Sequence, residues 1–373
     1  MRILILSDIG SIHTRRWVTS LCSRNHEIML FGLLKSDENV YNDIPNLTIY
    51  SCNFTLKGLS RGKQWLAGKV QYLSAVSKLK KKIKEFKPDI LHAHYASSYG
   101  LIGALVGFHP YIVSMWGSDV YEYPNSGTLY RKLLKYTFRK ADVLLSTSNC
   151  MAQEAKKYTN KKISITPFGV DVNRFAPVQT SNEPKNQTST FVVGNVKSLS
   201  PTYGIDILIK AFAELCRFMP EKQFLLKIAG IGPQKNELLA LCKELEISDK
   251  VEFLGYLPNE QLPALYAQFD VAVSLSRAES FGVVAVEAMS CGCPVVTSDA
   301  PGFKEVVVDN LTGLIVPRED VHAAAIALSK LAADTELCRS MGEAGRKRIF
   351  ELYNWEDNVT MMERVYDNCL ANH

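Results

Sequence analysis

Residues 271–296 read VAVSLSRAESFGVVAVEAMSCGCPVV, and the reading of this stretch decides the fold. Val271 to Leu275 is an apolar run of strand length, and Pro294-Val-Val296 opens a second one, so the chain between them must turn, form one short helix and return. Glu279 falls in the loop. Gly282 to Ser290 suits the helix, ended by Gly292 at a left-handed cap with Pro294 behind it. Glu287 lies five residues inside this otherwise apolar helix, where a lone buried carboxylate is too costly unless it meets something polar. Solvation of Glu287 is one reading. The other is a ligand: the helix N-terminal amides of Phe281, Gly282 and Val283 make an anion site, and two carboxylates beside it accept hydroxyl protons. Phosphate together with a polyol describes a nucleotide sugar.

A length of 373 residues, 47% of them hydrophobic and 22% charged, suits two globular domains. Nine cysteines, an odd number, with no secretory leader at Met1-Arg-Ile3, point to free thiols in a reducing, cytoplasmic setting. Cys291 and Cys293 have no neighbouring Cys or His pair to complete a zinc site and read as small buried side chains. Tyr99 to Trp116, the longest apolar region, is broken by glycines and by His109-Pro110, which makes it helix, turn and strand rather than a membrane span. Charge is uneven: residues 1–172 carry a net +12 and residues 173–373 a net −7 within the total of +5. The first half therefore suits an anionic surface or acceptor.

Arg2 to Ser7 reads as a parallel strand covered on both faces, followed by a turn at Asp8 to Ser11 and a helix through Trp17 and Leu21. The turn carries Gly10 but no G-x-G-x-x-G, which argues against a nicotinamide or flavin enzyme. Strands follow at Glu27 to Gly32 and Leu47 to Ser51. Between Asn53 and Pro88, Gln64-Trp-Leu-Ala67 and Val70-Gln-Tyr-Leu73 interleave with Lys69, Lys78, Lys80 to Lys82, Lys84 and Lys87. That is either a solvated outer helix or a contact with anionic lipid head groups, each basic residue adding ~1 kcal/mol. Asp89-Ile-Leu-His-Ala-His-Tyr95 is a strand delivering His92 and His94 to the ligand-binding end of a sheet, for a cleft contact or a structural hydrogen bond. Tyr111 to Met115 leads to Trp116-Gly-Ser-Asp119, and Val143 to Ser146, Cys150 to Tyr158 and Ile163 to Thr166 complete the first sheet as strand, helix, strand.

The second half repeats the alternation: strand Phe191 to Val196, the turn Lys197 to Gly204, helix Ile205 to Phe218, then strands Leu225 to Ala229, Val251 to Leu254, Val271 to Leu275 and Gly313 to Val316. Helices are expected over Val321 to Ala332, Thr335 to Arg348 and Trp355 to Leu370.

Glu279-Ser-Phe-Gly-Val-Val-Ala-Val-Glu287 resembles the E-x7-E signature of family 4 (group 1) retaining glycosyltransferases. Pro167-Phe-Gly-Val-Asp171, Gly194-Asn-Val-Lys197, Gly230-Ile-Gly-Pro233 and Val251-Glu-Phe-Leu-Gly255 are similar to family stretches in the same order, so the resemblance spans nearly the whole chain. It implies an α/β GT-B architecture, two Rossmann-like parallel-sheet domains facing a cleft. The acceptor-side domain would be residues 1–172 with the C-terminal helix 355–373 packed back on it, joined by the Pro-, Ser- and Asn-bearing linker 173–190 to a nucleotide-sugar domain at 191–354.

It further implies a UDP- or GDP-linked sugar as co-substrate, with no cofactor and no metal, since the chain has no Asp-x-Asp. The implied catalytic residues are Glu279 and Lys197. Donor contacts are Gly10, Lys197, Glu279, Phe281, Gly282, Val283, Glu287 and Tyr256, the last beside Gly255 where the base lodges. His94, Trp116 and Asp119 fall on the acceptor side. Two departures stand out. Family members often carry histidine where Trp116 stands, and the second basic residue of the Lys197 turn is replaced by Thr202 or Tyr203, which leaves Arg277 as the candidate compensating cation. The expected activity is hexosyl transfer to a glycan, glycolipid or polyprenyl-linked acceptor in bacterial surface polysaccharide synthesis, without nucleic acid. A catalytically silent sugar-nucleotide-binding subunit and a sugar-nucleotide epimerase are the competing readings.

Overall fold

The computed structural model describes residues 1–55, 61–177 and 190–372, the side chains of residues 61–70 excepted. The chain divides into two compact units, Met1–Thr166 with Val359–His373, and Pro167–Asn358. Residues 178–189 of the expected linker and the side chains of Gln64 to Ala67 and Lys69 lie outside the described residues.

The first unit holds β1 (Arg2–Leu6), β2 (Glu27–Leu34), β3 (Leu47–Phe54), β4 (Ile90–His94), β5 (Tyr111–Met115), β6 (Val143–Ser146) and β7 (Ile163–Ile165). They form one parallel sheet in the order β3-β2-β1-β4-β5-β6-β7. β1, β4 and β5 are almost wholly buried, as near-continuous apolar runs between two helical layers must be. The second unit holds β8 (Phe191–Val196), β9 (Phe224–Ala229), β10 (Val251–Gly255), β11 (Val271–Ser274), β12 (Val295–Ser298) and β13 (Gly313–Val316), parallel and ordered β10-β9-β8-β11-β12-β13. Both sheets reverse strand order beside their first strand, and crevices for ligands open at such a switch point beyond the strands' carboxyl ends.

Most element boundaries fall within three residues of those read from the sequence. β2 and β3 run further because their pairing continues to Leu34 opposite Phe54. The helix expected over Cys150 to Tyr158 is Asn149–Ala155: the Ser148 hydroxyl accepts from the Met151 amide and starts it one residue early, and tight turn bonds at Lys157 and Tyr158 end it. The helix Thr128–Lys140, absent from the sequence reading, buries Leu134, Thr137 and Phe138 and turns its basic residues outward.

Two close approaches show how tightly the second unit is packed. Gly342 on the helix Thr335–Leu352 lies where a Cβ would come within 2.1 Å of the Gly292 carbonyl. Gly194 in mid-β8 faces Phe269, whose ring carbons would stand 2.1–2.2 Å from a Cβ. Gly194→Ala is therefore expected to destabilise the protein by about 1–3 kcal/mol through overpacking. A lowered calorimetric melting temperature checks it; an unchanged one shows that Phe269 yields freely.

Candidate active site

The switch point of the second sheet lies between β8 and β11, and the Asn195 amide ties these strands together by donating to the Val273 carbonyl at 2.7 Å. Lys197 is the first residue beyond β8, and its amide is held by the Ala229 carbonyl at 3.0 Å. Its ammonium reaches Glu279, in the loop after β11, at 2.6 Å from Oε2. The side chains are only 11% and 12% exposed, and Lys197 Nζ also stands 4.6 Å from the centre of the Tyr203 ring. Eighty-two residues of sequence separate the partners. The fold joins them because each loop begins at the same sheet edge.

From Glu279 the chain passes over Gly302, whose amide donates to the Glu279 carbonyl at 3.0 Å. A Cβ at Gly302 would lie 2.5 Å from the Phe281 nitrogen, so glycine there lets the loop settle onto the next turn. Gly282 caps the helix Val283–Ser290 at φ +104°, a conformation that side chains rarely adopt. Phe281 is buried, edge-on to Phe168 and Tyr353 at 6.1 and 5.6 Å, and pins the loop. The leading amides of a helix have no intrahelical partner, and they face the end of the sheet where anions are favoured. At the other end, Gly292 at φ +75° donates to Met289 and Cys293 to Ala288, a two-bond Schellman termination. The strand, loop, helix and strand expected from residues 271–296 are all present.

Glu287, 7% exposed, is not solvated: the Tyr266 hydroxyl donates to its Oε2 at 3.1 Å. Burial, and next the Glu287 charge, push the Tyr266 phenol well above its ordinary pKa, so it remains a donor. Tyr266 was not anticipated, because 21 positions separate it from Glu287 and no local pattern links them. Tyr256 stands 68% exposed just past Gly255, which has φ +73°.

Arg277 is not a free compensating cation. Its guanidinium forks onto Asp206 at 2.8 and 3.0 Å and also meets Glu319, while its amide donates to the Thr202 carbonyl at 2.8 Å. It therefore braces the turn after β8, and Asp206 and Glu319 are the supporting residues that local reading could not find.

In the first unit, His94 at the end of β4 bonds Ser7 at 3.0 Å, and Ser7 bonds Thr14 at 2.7 Å. His92 on the same face bonds Ser114 and Tyr366, both at 2.8 Å. Burial lowers His92 to about 3 and holds His94 well below its usual value, so both imidazoles are neutral near pH 7. Trp116, 7% exposed, stacks on His94 with ring centres 4.4 Å apart and planes at 29°. Asp119 accepts from the amides of Ala96, Gly117 and Trp116 at 2.7, 2.8 and 3.2 Å. It fixes the loop that carries the tryptophan. Gly10 lies on an exposed turn, its amide bonded to Asp8 at 3.0 Å. Among the described residues, no cluster of His, Cys, Asp and Glu is placed to hold a metal ion, and no helix is long and apolar enough to cross a membrane.

Comparison with known proteins bears on the family and the fold. Residues 179–348 match the family model described as glycosyl transferases group 1, and residues 2–148 match glycosyl transferase 4-like. N-acetyl-alpha-D-glucosaminyl L-malate synthase of Bacillus anthracis is 28% identical over 308 residues, 80% of this chain and 79% of that protein. D-inositol 3-phosphate glycosyltransferase of Corynebacterium jeikeium is 32% identical over 241 residues, 61% of this chain and 57% of its own. Among solved structures, sucrose-phosphate synthase from Thermosynechococcus elongatus superposes with a TM-score of 0.85 at 23% identity, covering 100% of both chains. Anabaena HepE in complex with UDP and glucose gives 0.78 at 18%, covering 99% of this chain and 100% of that one. With parallel sheets of seven and six strands, and family matches over both halves, the chain belongs to the group 1 glycosyltransferases and has the GT-B architecture.

Proposed function

We propose that this glycosyltransferase moves a hexosyl group from a UDP- or GDP-linked donor to a glycan, glycolipid or polyprenyl-linked acceptor, with retention of anomeric configuration and without a metal. The observation that carries the reading is the nearly buried Lys197–Glu279 pair beside the start of the helix Val283–Ser290, at the switch point of the second sheet. Lys197 and the amides of Phe281, Gly282 and Val283 receive the diphosphate. Glu279, with one oxygen on Lys197, offers the other to sugar hydroxyls, and Glu287 accepts from the ribose. HepE, whose solved complex contains UDP and glucose, supports a nucleotide-sugar donor by likeness of fold.

As the bond between the anomeric carbon and the phosphate oxygen breaks, negative charge grows on the leaving diphosphate, where the ammonium and the helix amides are preorganised for it. The acceptor hydroxyl attacks from the face the phosphate leaves, forming the new glycosidic bond. A leaving-phosphate oxygen takes its proton. No protein carboxylate is required as a nucleophile, and the neutral His92 and His94 are not called on as acids. A lipid-borne acceptor would place the chain at the inner face of the plasma membrane, in surface polysaccharide assembly. His94 and Trp116 would then lie on the acceptor side.

A screen of nucleotide sugars by thermal shift tests the donor site, since a ligand at a hundred times its Kd adds ~2.7 kcal/mol of stability. Absence of any shift across UDP- and GDP-sugars would remove the reading. The locked Arg277, with Thr202 or Tyr203 at the second cation position, favours one competitor, a silent sugar-nucleotide-binding subunit. Slow hydrolysis of the bound donor, with the anomer released followed by NMR in the presence of chelator, separates enzyme from subunit and tests retention and metal independence together.

A further inference from the structure

The helix Val283–Ser290 packs on β11 and β12, and a small cavity lies between them. Ser274 and Thr297 line it from the sheet side: they are register partners on adjacent parallel strands, so their side chains rise from the same face. Ala272 on β11 and Ala285 on the helix line it too, and both are too short to fill it. The cavity measures about 10 Å³, which holds a single water molecule. Ser274 and Thr297 are 5% and 0% exposed, and neither hydroxyl has a hydrogen-bond partner among the described residues. Other hydroxyls nearby are satisfied by carbonyls: Ser290 donates to Phe175 and Ser298 to Ser276, both at 2.6 Å. Buried hydroxyls without partners are costly, so two of them on one gap mark a place for a ligand that both donates and accepts.

Tyr266 and Val284 complete the wall. The Tyr266 hydroxyl lies 3.4 Å from the Val284 carbonyl and donates to Glu287 Oε2 at 3.1 Å, so its oxygen keeps a lone pair for a donor from the cavity. We infer that one buried water is a fixed part of this site, donating to the Tyr266 oxygen and to one strand hydroxyl and accepting from the other, and that Ser274 and Thr297 thereby act as positioning residues for Glu287. About three bonds are the usual complement of a buried water. The relay runs from two strands through water and phenol to the carboxylate. A donor on the Tyr266 oxygen strengthens the bond that the tyrosine's own proton makes, so the sheet sets the direction in which Glu287 faces its ligand. The inference rests on the reading of Glu287 as the ribose contact.

The test is titration calorimetry of the full chain with UDP and with GDP, across wild type, Thr297→Val, Tyr266→Phe and the double variant. Valine keeps the shape of threonine without its hydroxyl. Thr297→Val is expected to weaken binding of the nucleotide that wild type takes by about threefold. Tyr266→Phe/Thr297→Val should bind no more weakly than Tyr266→Phe alone, because both changes cut the same chain. A hydroxyl serving the fold alone would lower affinity by the same factor with or without the Tyr266 hydroxyl. Effects that multiply in the double variant, or full affinity in Thr297→Val, overturn the proposal; the same cycle built on Ser274→Ala repeats the test independently. A crystal structure of the wild type should show density within hydrogen-bond distance of Ser274, Thr297 and Tyr266, and an empty cavity overturns the water outright. If neither UDP nor GDP binds the wild type, the donor reading fails, while the density still decides the water site.

Discussion

Replacing Lys197 with alanine is expected to lower turnover by ~10²–10³-fold, the usual cost of removing one preorganised donor from a site of developing negative charge. The ammonium has a fixed place: 2.6 Å from Glu279, over the Tyr203 ring, on a loop anchored to Ala229. Arg277, the candidate second cation, is held by Asp206 and Glu319. Because diphosphate charge grows between bound donor and transition state, kcat should fall more than donor binding weakens. Lys197→Arg is expected to recover part of the rate, since guanidinium retains the charge and stacks on tyrosine but places its fork differently. The alanine variant also leaves the Glu279 carboxylate, 12% exposed, without this partner, a change that costs ~1–3 kcal/mol. Melting curves must therefore accompany the kinetics. A folded Lys197→Ala enzyme turning over at the wild-type rate would show that the diphosphate charge is met elsewhere.

What could be read from the chain before its structure followed the range of the interactions. Residues 271–296 announced strand, loop, helix and strand because the glycines, the proline and the apolar runs that define them are neighbours in sequence. Glu287 was legible for the same reason, as a carboxylate inside an apolar helix, and Glu279 through its eight-residue spacing from it in the signature. The partners that give those carboxylates their roles come from far away: Lys197 to Glu279 over 82 positions, Tyr266 to Glu287 over 21, and Asp206 and Glu319 to Arg277 over 71 and 42. Only the order of strands brings them together, and Arg277, seen without its acids, looked available. The helix Thr128–Lys140 escaped notice differently. Gly127 gives it no side-chain cap, and its apolar positions are shared with tyrosines and lysine stems, so the pattern that marks a buried face is diluted. Trp116 was visible as a departure from the family histidine, but its stacking on His94 and the three amides held by Asp119 depend on loops that meet only in the fold.

Glu287→Ala is expected to weaken nucleotide binding by roughly 10- to 10²-fold, since a charged hydrogen bond contributes ~1.5–3 kcal/mol. The carboxylate stands inside the helix Val283–Ser290, nearly buried, with the Tyr266 hydroxyl 3.1 Å from Oε2. That bond orients the group without exhausting a carboxylate's capacity for several donors. Ribose hydroxyls do not change charge during transfer, so the contact is equally strong in the ground and transition states: turnover at saturating donor should change far less than Kd. The pattern is the opposite of that expected for Lys197→Ala, and titration calorimetry with the nucleoside diphosphate reads it directly. Tyr266→Phe supplies the comparison, because it removes the orienting hydroxyl but keeps the carboxylate; its loss of affinity should be the smaller of the two. Tyr266 also lies 3.4 Å from the Val284 carbonyl, so in the alanine variant its hydroxyl keeps an acceptor and the fold should survive. If Glu287→Ala binds the nucleotide as tightly as wild type, the carboxylate serves only to seat Tyr266, and the ribose must be held by another part of the sheet edge.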